Sequence, residues 1–91
     1  MKFMIAWKIQ PGCYKAAVER FLSTGAPDPT GLKTIARWHA PGSAYGWHVV
    51  EGDATALTQI TAMWVDVLET QITPVIEDGE AASGMAKVFG K

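Results

Sequence analysis

The residues best suited to chemistry lie in one short stretch of the chain, IARWHAPGSAYGWHVVEG, residues 35–52. It holds Arg37, His39 and His48, and those two histidines are the only ones in the sequence. Histidine is the side chain whose unperturbed pKa lies near neutrality, so either one could act as a base. The guanidinium of Arg37 presents a planar set of donors that suits a carboxylate. The stretch could therefore hold a small acidic or planar molecule.

Two predicted strands, residues 32–40 and 45–51, position these side chains as an antiparallel hairpin joined by PGSA. If the connection pairs Ala40 with Tyr45, alternation sorts the side chains onto two faces. One face then carries three aromatic residues, Trp38, Tyr45 and Trp47. The other face carries Arg37, His39 and His48. In this register the two tryptophans lie opposite each other, and the arginine lies opposite the second histidine.

The two faces of the hairpin lead to different predictions. We interpret Trp38 and Trp47 as a cross-strand pair that stabilises the hairpin by about 0.5–1 kcal/mol beyond burial. The polar face leaves two alternatives open. One is a polar network of Arg37 and the histidines at the sheet surface or the dimer interface, with Glu51 or Glu69 as partners of the arginine, and the other is a pocket for a small acidic or planar ligand. The candidate ligand-binding residues are Trp7, Arg37, Trp38, His39, Tyr45, Trp47, His48 and Trp64.

Metal, haem and thiol chemistry find little support in the sequence. A metal site needs three or four converging ligands, and no ligand spacing enforces one, although Glu51 or Asp53 could join the two histidines. Haem ligation by His39 or His48 would need a large apolar pocket. Cys13 lies at the start of a predicted helix, whose dipole can lower the pKa of a thiol, but it has no neighbouring histidine or aspartate. We therefore predict no metal and no cofactor, and assign no catalytic residue.

Composition and charge narrow the class of protein. The 91 residues fit a single domain, residues 1–91. The net charge is −1 without a basic cluster, which argues against nucleic acid and membrane surfaces as partners. No apolar run approaches the ~20 residues of a membrane span, and MKFMIAWKIQPG at the start alternates like a strand rather than a signal peptide. One cysteine fits a reducing compartment, so we expect a cytoplasmic protein.

The remaining pattern predicts the elements around the hairpin. We expect a strand over residues 2–10, a helix over 13–23, a second helix after Asp53, a strand over 70–77 and a short C-terminal helix within 78–91. The inner stripe of the second helix is Leu57, Ile60, Trp64, Val67 and Leu68. The order β-α-β-β-α-β with right-handed crossovers predicts an α+β, ferredoxin-like sandwich, in which two helices cover one face of an antiparallel sheet.

Large apolar residues fall on both faces of the predicted strands, although helices cover only one. One face of the first strand carries four of them, Phe3, Ile5, Trp7 and Ile9. On the hairpin, Ile35 and Val50 should lie on the face opposite to that of Trp38 and Trp47. Because a monomer would leave tryptophans in water, we predict a homodimer whose two sheets pack face to face. Pro74 cannot donate to a ladder, so the last strand should lie at a sheet edge.

The whole chain resembles the dimeric α/β-barrel superfamily and, within it, a family of short bacterial proteins classed as a domain of unknown function. The matching stretches are FMIAWKIQPG, AAVERFL, GLKTIARWHAPG and ITPVIEDGEAA, and RWHA is the most specific part. The resemblance implies a ferredoxin-like protomer and a side-by-side dimer with a central barrel. It implies no catalytic residue. Superfamily relatives range from cofactor-independent monooxygenases, haem-degrading enzymes and muconolactone-isomerase-like proteins to stress and sensor proteins.

Three functions remain open. The sequence favours a non-catalytic module that binds a small apolar or aromatic molecule, because tryptophan and tyrosine are abundant and acid–base pairs are scarce. The first alternative is a cofactor-independent monooxygenase or isomerase with His39 or His48 as its base. The second is a structural or regulatory partner protein whose dimer is itself the functional form, in keeping with the weakly polar outer face of the second helix.

Overall fold

Within residues 1–90, four strands form one antiparallel sheet in the order β2-β3-β1-β4. The computed structural model describes residues 1–90. Its elements are β1 (Lys2–Ile9), α1 (Tyr14–Thr24), β2 (Leu32–His39), β3 (Tyr45–Gly52), α2 (Ala54–Trp64), β4 (Leu68–Val75) and α3 (Asp78–Phe89). Helices α1 and α2 each connect two strands that have one other strand between them. This is the α+β, ferredoxin-like arrangement that the sequence predicts.

The apolar core lies between these two helices and one face of the sheet, hereafter the covered face. Helix α2 contributes four buried residues, Ala56, Leu57, Ile60 and Trp64, of which the last three belong to the predicted stripe. Helix α1 contributes only Ala17. Helix α2 therefore seals its half of the sheet, whereas α1 packs more loosely against the other half.

Both core helices have ends that satisfy free backbone groups. At the start of α2, the carboxylate of Asp53 accepts a hydrogen bond from the backbone N–H of Ala56 at 2.8 Å, so the predicted cap is confirmed. At the end of α1, the backbone N–H of Gly25 donates to the carbonyl oxygen of Phe21 at 2.8 Å. Gly25 has φ 72°, a left-handed conformation that glycine adopts without steric cost.

The end of α2 and the start of β4 differ from the prediction. The side-chain amide of Gln10 donates to the carbonyl oxygens of Val65 and Leu68, at 2.8 and 3.1 Å. These bonds hold a tight turn after Trp64, so Val67 lies buried in the turn and not in the helix. Strand β4 consequently begins at Leu68, two residues before the predicted start at residue 70.

Strand β2 contains a β-bulge between Thr34 and Ala36. Strict alternation would place Thr34 and Arg37, three residues apart, on opposite faces of the sheet. The extra residue of the bulge, Ile35, has no partner in β3, so both polar residues turn towards the covered face. Ile35 itself is 47% exposed, and the prediction that it lies on that face is wrong. The bulge brings two polar side chains of β2 to His48.

The other face of the sheet, hereafter the open face, carries three aromatic residues. Trp38, Tyr45 and Trp47 are 55%, 51% and 41% exposed. Trp38 lies opposite Trp47, as the predicted register requires, and the rings of Tyr45 and Trp47 meet edge to face at 5.8 Å. Pro74 lies in β4, an edge strand, which confirms its predicted place.

Helix α3 buries no residue. The molecule measures 53 × 28 × 17 Å. The ion pair between Lys2 and Glu77 at 2.5 Å holds the start of α3 beside β1. Its apolar residues Met85, Val88 and Phe89 are exposed. Among residues 1–90, no helix has the length and apolar character needed to cross a membrane.

Candidate functional site

A cavity of about 260 Å³ lies between α1 and the covered face of the sheet. Its size is close to the lower end of ordinary small-molecule pockets, about 300–1,000 Å³. Most of its wall is apolar and comes from β1, α1 and α2, including Ile5, Trp7, Val18, Phe21, Ile60 and Trp64. A smaller polar part of the wall includes Arg37, His39 and His48. The cavity therefore has the composition of a site for a small apolar molecule with one polar end.

The cavity exists because hydrogen bonds hold α1 in place on either side of its central residue, and the side chain of that residue is small. The hydroxyl of Tyr14 donates to the carbonyl oxygen of Gly42 at 2.7 Å, which joins the start of α1 to the hairpin turn. Arg20 forms two hydrogen bonds to the carboxylate of Asp66, at 2.9 and 2.6 Å, which join α1 to the turn after α2. Between these points the residue nearest the core is Ala17, whose side chain does not fill the space.

His48 is the buried polar residue of the covered face, with 5% of its surface exposed. Its Nε2 lies 2.7 Å from the hydroxyl oxygen of Thr34. That hydroxyl donates its single proton to Asp28 at 2.7 Å, and the backbone N–H of Thr34 donates to the same carboxylate at 2.8 Å. Since that hydroxyl proton goes to Asp28, a hydrogen bond with Thr34 needs a proton on Nε2 of His48, whereas a hydrogen bond from the Arg37 guanidinium, 3.3 Å away, needs Nε2 without one.

Electrostatics keep His48 neutral at physiological pH. Burial lowers the pKa of His48 to about 4, with a further contribution from the positive charge of Arg37, against a partial opposite effect of Asp28. The imidazole therefore adds no positive charge to the cavity near pH 7.

Arg37 reaches the cavity from β2, where it lies opposite His48 as predicted. Its Nη2 donates to the carbonyl oxygen of Ala26 at 3.0 Å and lies 3.3 Å from Nε2 of His48. Ala26 has φ 47°, a left-handed conformation that an alanine rarely adopts and that costs on the order of 1–2 kcal/mol. The strained residue thus anchors the guanidinium, which also lies 5.8 Å from the ring centre of Phe21.

The predicted pairing of Arg37 with Glu51 or Glu69 is not formed within residues 1–90. Among residues 1–90, the ion pairs join Lys2 with Glu77, Lys15 with Glu19 and Arg20 with Asp66, and none involves Arg37. Glu51 and Glu69 lie on the open face, since their neighbours Val50 and Thr70 face the core and the cavity. The sheet itself separates both acids from the guanidinium.

His39 lies at the mouth of the cavity and is exposed. Its ring packs edge to face against Trp7 at 5.1 Å and at a tilt against Phe21 at 5.2 Å. Its Nδ1 lies 3.2 Å from the hydroxyl oxygen of Ser43. Within the described part of the chain, no three His, Cys, Asp or Glu side chains come together in a way that could hold a metal ion.

Gly46 makes room for the indole of Trp7. It lies on β3 directly opposite Trp7 in the sheet. A Cβ atom at this position would clash with the backbone carbonyl oxygen of Trp38 and with the ring of Trp7. The absence of a side chain here lets the indole lie against the sheet and form one wall of the cavity.

The structure divides the eight predicted site residues between the two faces. Five line the cavity: Trp7, Arg37, His39, His48 and Trp64. The other three, Trp38, Tyr45 and Trp47, lie on the open face and do not line it. Sequence reasoning missed Ala26, Asp28 and Thr34. The bulge turns Thr34 to a face that strict alternation does not predict for it. The other two residues lie in a loop whose path no periodicity indicates.

A protein-family model described as "Domain of unknown function (DUF3303)" matches residues 1–89. The chain belongs to this family. Membership of a domain-of-unknown-function family is thus confirmed, while the dimeric α/β-barrel superfamily and the diagnostic value of RWHA stay predictions. No curated protein matches the chain. The family description assigns no activity, so the function of this DUF3303 protein has to be argued from its geometry.

Proposed function

We propose that this DUF3303 protein binds a small apolar or aromatic molecule in the cavity between α1 and the covered face, without changing it chemically. The observation that carries the proposal is an apolar, largely aromatic cavity of about 260 Å³ inside a chain of only 91 residues. Each apolar Å² of a ligand removed from water contributes roughly 25 cal/mol. The tethers of α1 through Tyr14 and Arg20 keep this space open before any ligand arrives.

The chemistry of His48 supports binding rather than catalysis. A general base works best when its pKa is close to the operating pH, and the pKa of His48 is lowered to about 4. Its Nε2 is also engaged with Thr34, which is itself bound to Asp28. These contacts hold the side chain in one position, and burial makes it a weak base.

A cavity-filling variant tests the proposed binding. Val18→Phe enlarges a residue of the cavity wall, whereas Ala16→Phe places the same ring on the exposed side of α1. Calorimetric titration with 2-naphthylmethanol, an uncharged aromatic probe, should show binding to the unmodified protein and to Ala16→Phe. Val18→Phe should weaken it at least ten-fold. Equal binding to both variants, or no binding to the unmodified protein, would contradict the proposal.

The alternative of a cofactor-independent monooxygenase or isomerase now depends on His39. This histidine is exposed at the cavity mouth and contacts two aromatic walls, so its ring could reach an atom of a bound molecule. The alternative requires turnover of a compound that binds in the cavity, followed as oxygen uptake or product formation. Turnover should disappear in His39→Gln and persist in His48→Gln. Turnover that persists in both variants would remove the alternative.

We also propose that two copies of the chain associate through the open face. Support comes from the three exposed aromatic residues of that face and from the exposed apolar side chains of α3. Full burial of one such side chain contributes about 1.5–3 kcal/mol before the cost of association. The remaining alternative is a structural or regulatory partner protein, supported by the exposed Met63 of α2 and Val65 just after this helix. The single free Cys13 supports a cytoplasmic location.

A further inference from the structure

We propose that the ligand of the cavity is a small apolar monocarboxylate and that Arg37 binds its carboxylate. This inference rests on the proposed binding of an apolar molecule in the cavity. It adds the chemical class of the polar end of that molecule and names the residue that recognises it.

Arg37 is a cation without a counterion in a mostly apolar wall. Its Nη2 donates to the carbonyl oxygen of Ala26 at 3.0 Å, which anchors one end of the guanidinium. Within residues 1–90, its Nη1 and Nε groups have no protein acceptor, and no carboxylate lies within the 4.0 Å of an ion pair. A partly buried charge that lacks a partner is unfavourable. A ligand carboxylate would supply that partner.

Within residues 1–90, no acid near Arg37 forms an ion pair with it. Asp28 is the acid that acts on the neighbouring His48, but both of its carboxylate oxygens receive hydrogen bonds from Thr34, one from the backbone and one from the hydroxyl. The corresponding basic residue on α1, Arg20, is neutralised by Asp66 at 2.6 Å. Of the two arginines near α1, only Arg37 is thus available to an anion.

The number of positive charges favours a singly charged head group. Arg37 is the one lysine or arginine among the residues that line the cavity within the described chain. His48 beside it is neutral near pH 7, so it contributes no second charge. A guanidinium matches the planar carboxylate in both shape and charge. Trp7, Phe21 and Trp64 then offer apolar surface to the body of the molecule.

Three probes that share one ring system test the inference: 2-naphthoate, 2-naphthamide and 2-naphthylmethanol. Titration calorimetry at pH 7 should show that the unmodified protein binds the carboxylate about ten-fold more tightly than either neutral probe, or more. Arg37→Met should remove this preference and leave the alcohol within two-fold of its original affinity. Arg37→Lys should retain part of the preference, because an ammonium keeps the charge without the planar donors.

A matched control removes a different positive charge. Lys33 lies on β2 as well, but on the open face opposite Glu51, and is exposed. Lys33→Met should leave the affinities for all three probes unchanged. An equal loss of 2-naphthoate affinity in Lys33→Met and Arg37→Met would overturn the inference, since it would show general attraction by net charge.

The comparison of probes on the unmodified protein needs no variant, so the test stands even if Arg37→Met does not fold. If the alcohol binds and the carboxylate has no advantage, the carboxylate inference fails while the proposed binding function stands. If none of the three probes binds, both fail. A ten-fold or larger preference for 2-naphthoate that disappears in Arg37→Met supports both.

Discussion

On the covered face of the hairpin, polar side chains contact segments outside the hairpin, whereas on the open face the aromatic side chains lie beside one another within the hairpin. Arg37 reaches the loop after α1 through Ala26, and His39 reaches α1 itself through Phe21. On the open face, the rings of Tyr45 and Trp47 meet each other and remain about half exposed. Other segments of the chain therefore contact the hairpin residues of the covered face, but not the aromatic residues of the open face. We assign a small ligand to the first face and a second copy of the chain to the other.

The largest expected difference between the two faces concerns tryptophan truncation. Trp64→Ala removes a core side chain of the covered face and should lower the free energy of unfolding by about 3–5 kcal/mol. Trp38→Ala, on the open face, should cost mainly the stability that comes from association. Urea unfolding at several protein concentrations separates the two. The loss in Trp64→Ala should not vary with concentration, and the loss in Trp38→Ala should grow with it. The opposite dependence on protein concentration would contradict the assignment of Trp64 to the core and of Trp38 to an interface between two copies.

A single methyl group on the covered face should have the next largest effect. Gly46→Ala forces a clash with the backbone oxygen of Trp38 and with the indole of Trp7, so we expect a loss of about 2–3 kcal/mol in urea unfolding. Gly79→Ala, in α3, meets no atom within 4 Å and serves as the control, with an expected change within about 0.5 kcal/mol. Similar changes in both variants would show that the wall around Trp7 is not tightly packed.

Charge on the open face should disrupt the proposed dimer. Sedimentation velocity at micromolar concentration should give twice the 9.8 kDa mass of the chain, and Trp47→Lys or Trp38→Lys should shift the protein towards the monomer, depending on which indole lies at the interface. Leu22→Lys, which introduces the same charge at an exposed site on α1, is the control and should leave the mass unchanged. An unmodified protein that sediments as a folded monomer would contradict the dimer.

The smallest effect expected is the pH dependence that His48 gives to stability. Above pH 6.5 this histidine is neutral in both the folded and the unfolded chain, so stability should be constant. Between pH 6.5 and 4 the unfolded chain gains a proton that the folded chain does not, because the folded pKa is lowered to about 4. Stability should therefore fall with decreasing pH in this window, by on the order of 1–2 kcal/mol after allowance for solvent screening.

Histidine variants identify the source of that pH dependence. His48→Gln should abolish the decrease between pH 6.5 and 4, since glutamine has no proton to gain there. His39→Gln should retain it, because His39 is exposed at the cavity mouth. Urea midpoints measured at half-unit intervals of pH provide the comparison. A decrease that survives in His48→Gln would assign the effect to other groups.

Much of the fold follows from sequence periodicity, because burial imposes it on regular elements. The stripe Leu57, Ile60 and Trp64 predicts α2, and the alternation around PGSA predicts a hairpin in which Trp38 lies opposite Trp47. These elements depend on local spacing, which a sequence displays directly. Most observed bounds of the strands and helices differ from the predicted ones by one or two residues. The exception is the end of α2, because Gln10 closes the turn before β4 through hydrogen bonds that no local sequence pattern predicts.

The candidate site is only half visible in the sequence, for a physical reason. Arg37, His39 and His48 can be assigned to one face from their parity along the strands. Thr34 has the wrong parity, and only the bulge at Ile35 turns it to the same face. Asp28 approaches Thr34 from a loop, where chain direction depends on turns such as that at Ala26 and not on periodicity. The cavity itself exists because the residue at the centre of α1, Ala17, has a small side chain.

Nuclear magnetic resonance of the four indole N–H groups tests the assignment of the two faces most directly. Trp7 and Trp64 line the cavity, whereas Trp38 and Trp47 lie on the open face. Addition of 2-naphthoate to the ¹⁵N-labelled protein should shift the signals of Trp7 and Trp64 and leave the other two in place. Dilution should shift the signals of Trp38 and Trp47 instead. Ligand-induced shifts confined to Trp38 and Trp47 would contradict the account, because they would place the small molecule on the face that we assign to a second copy of the chain.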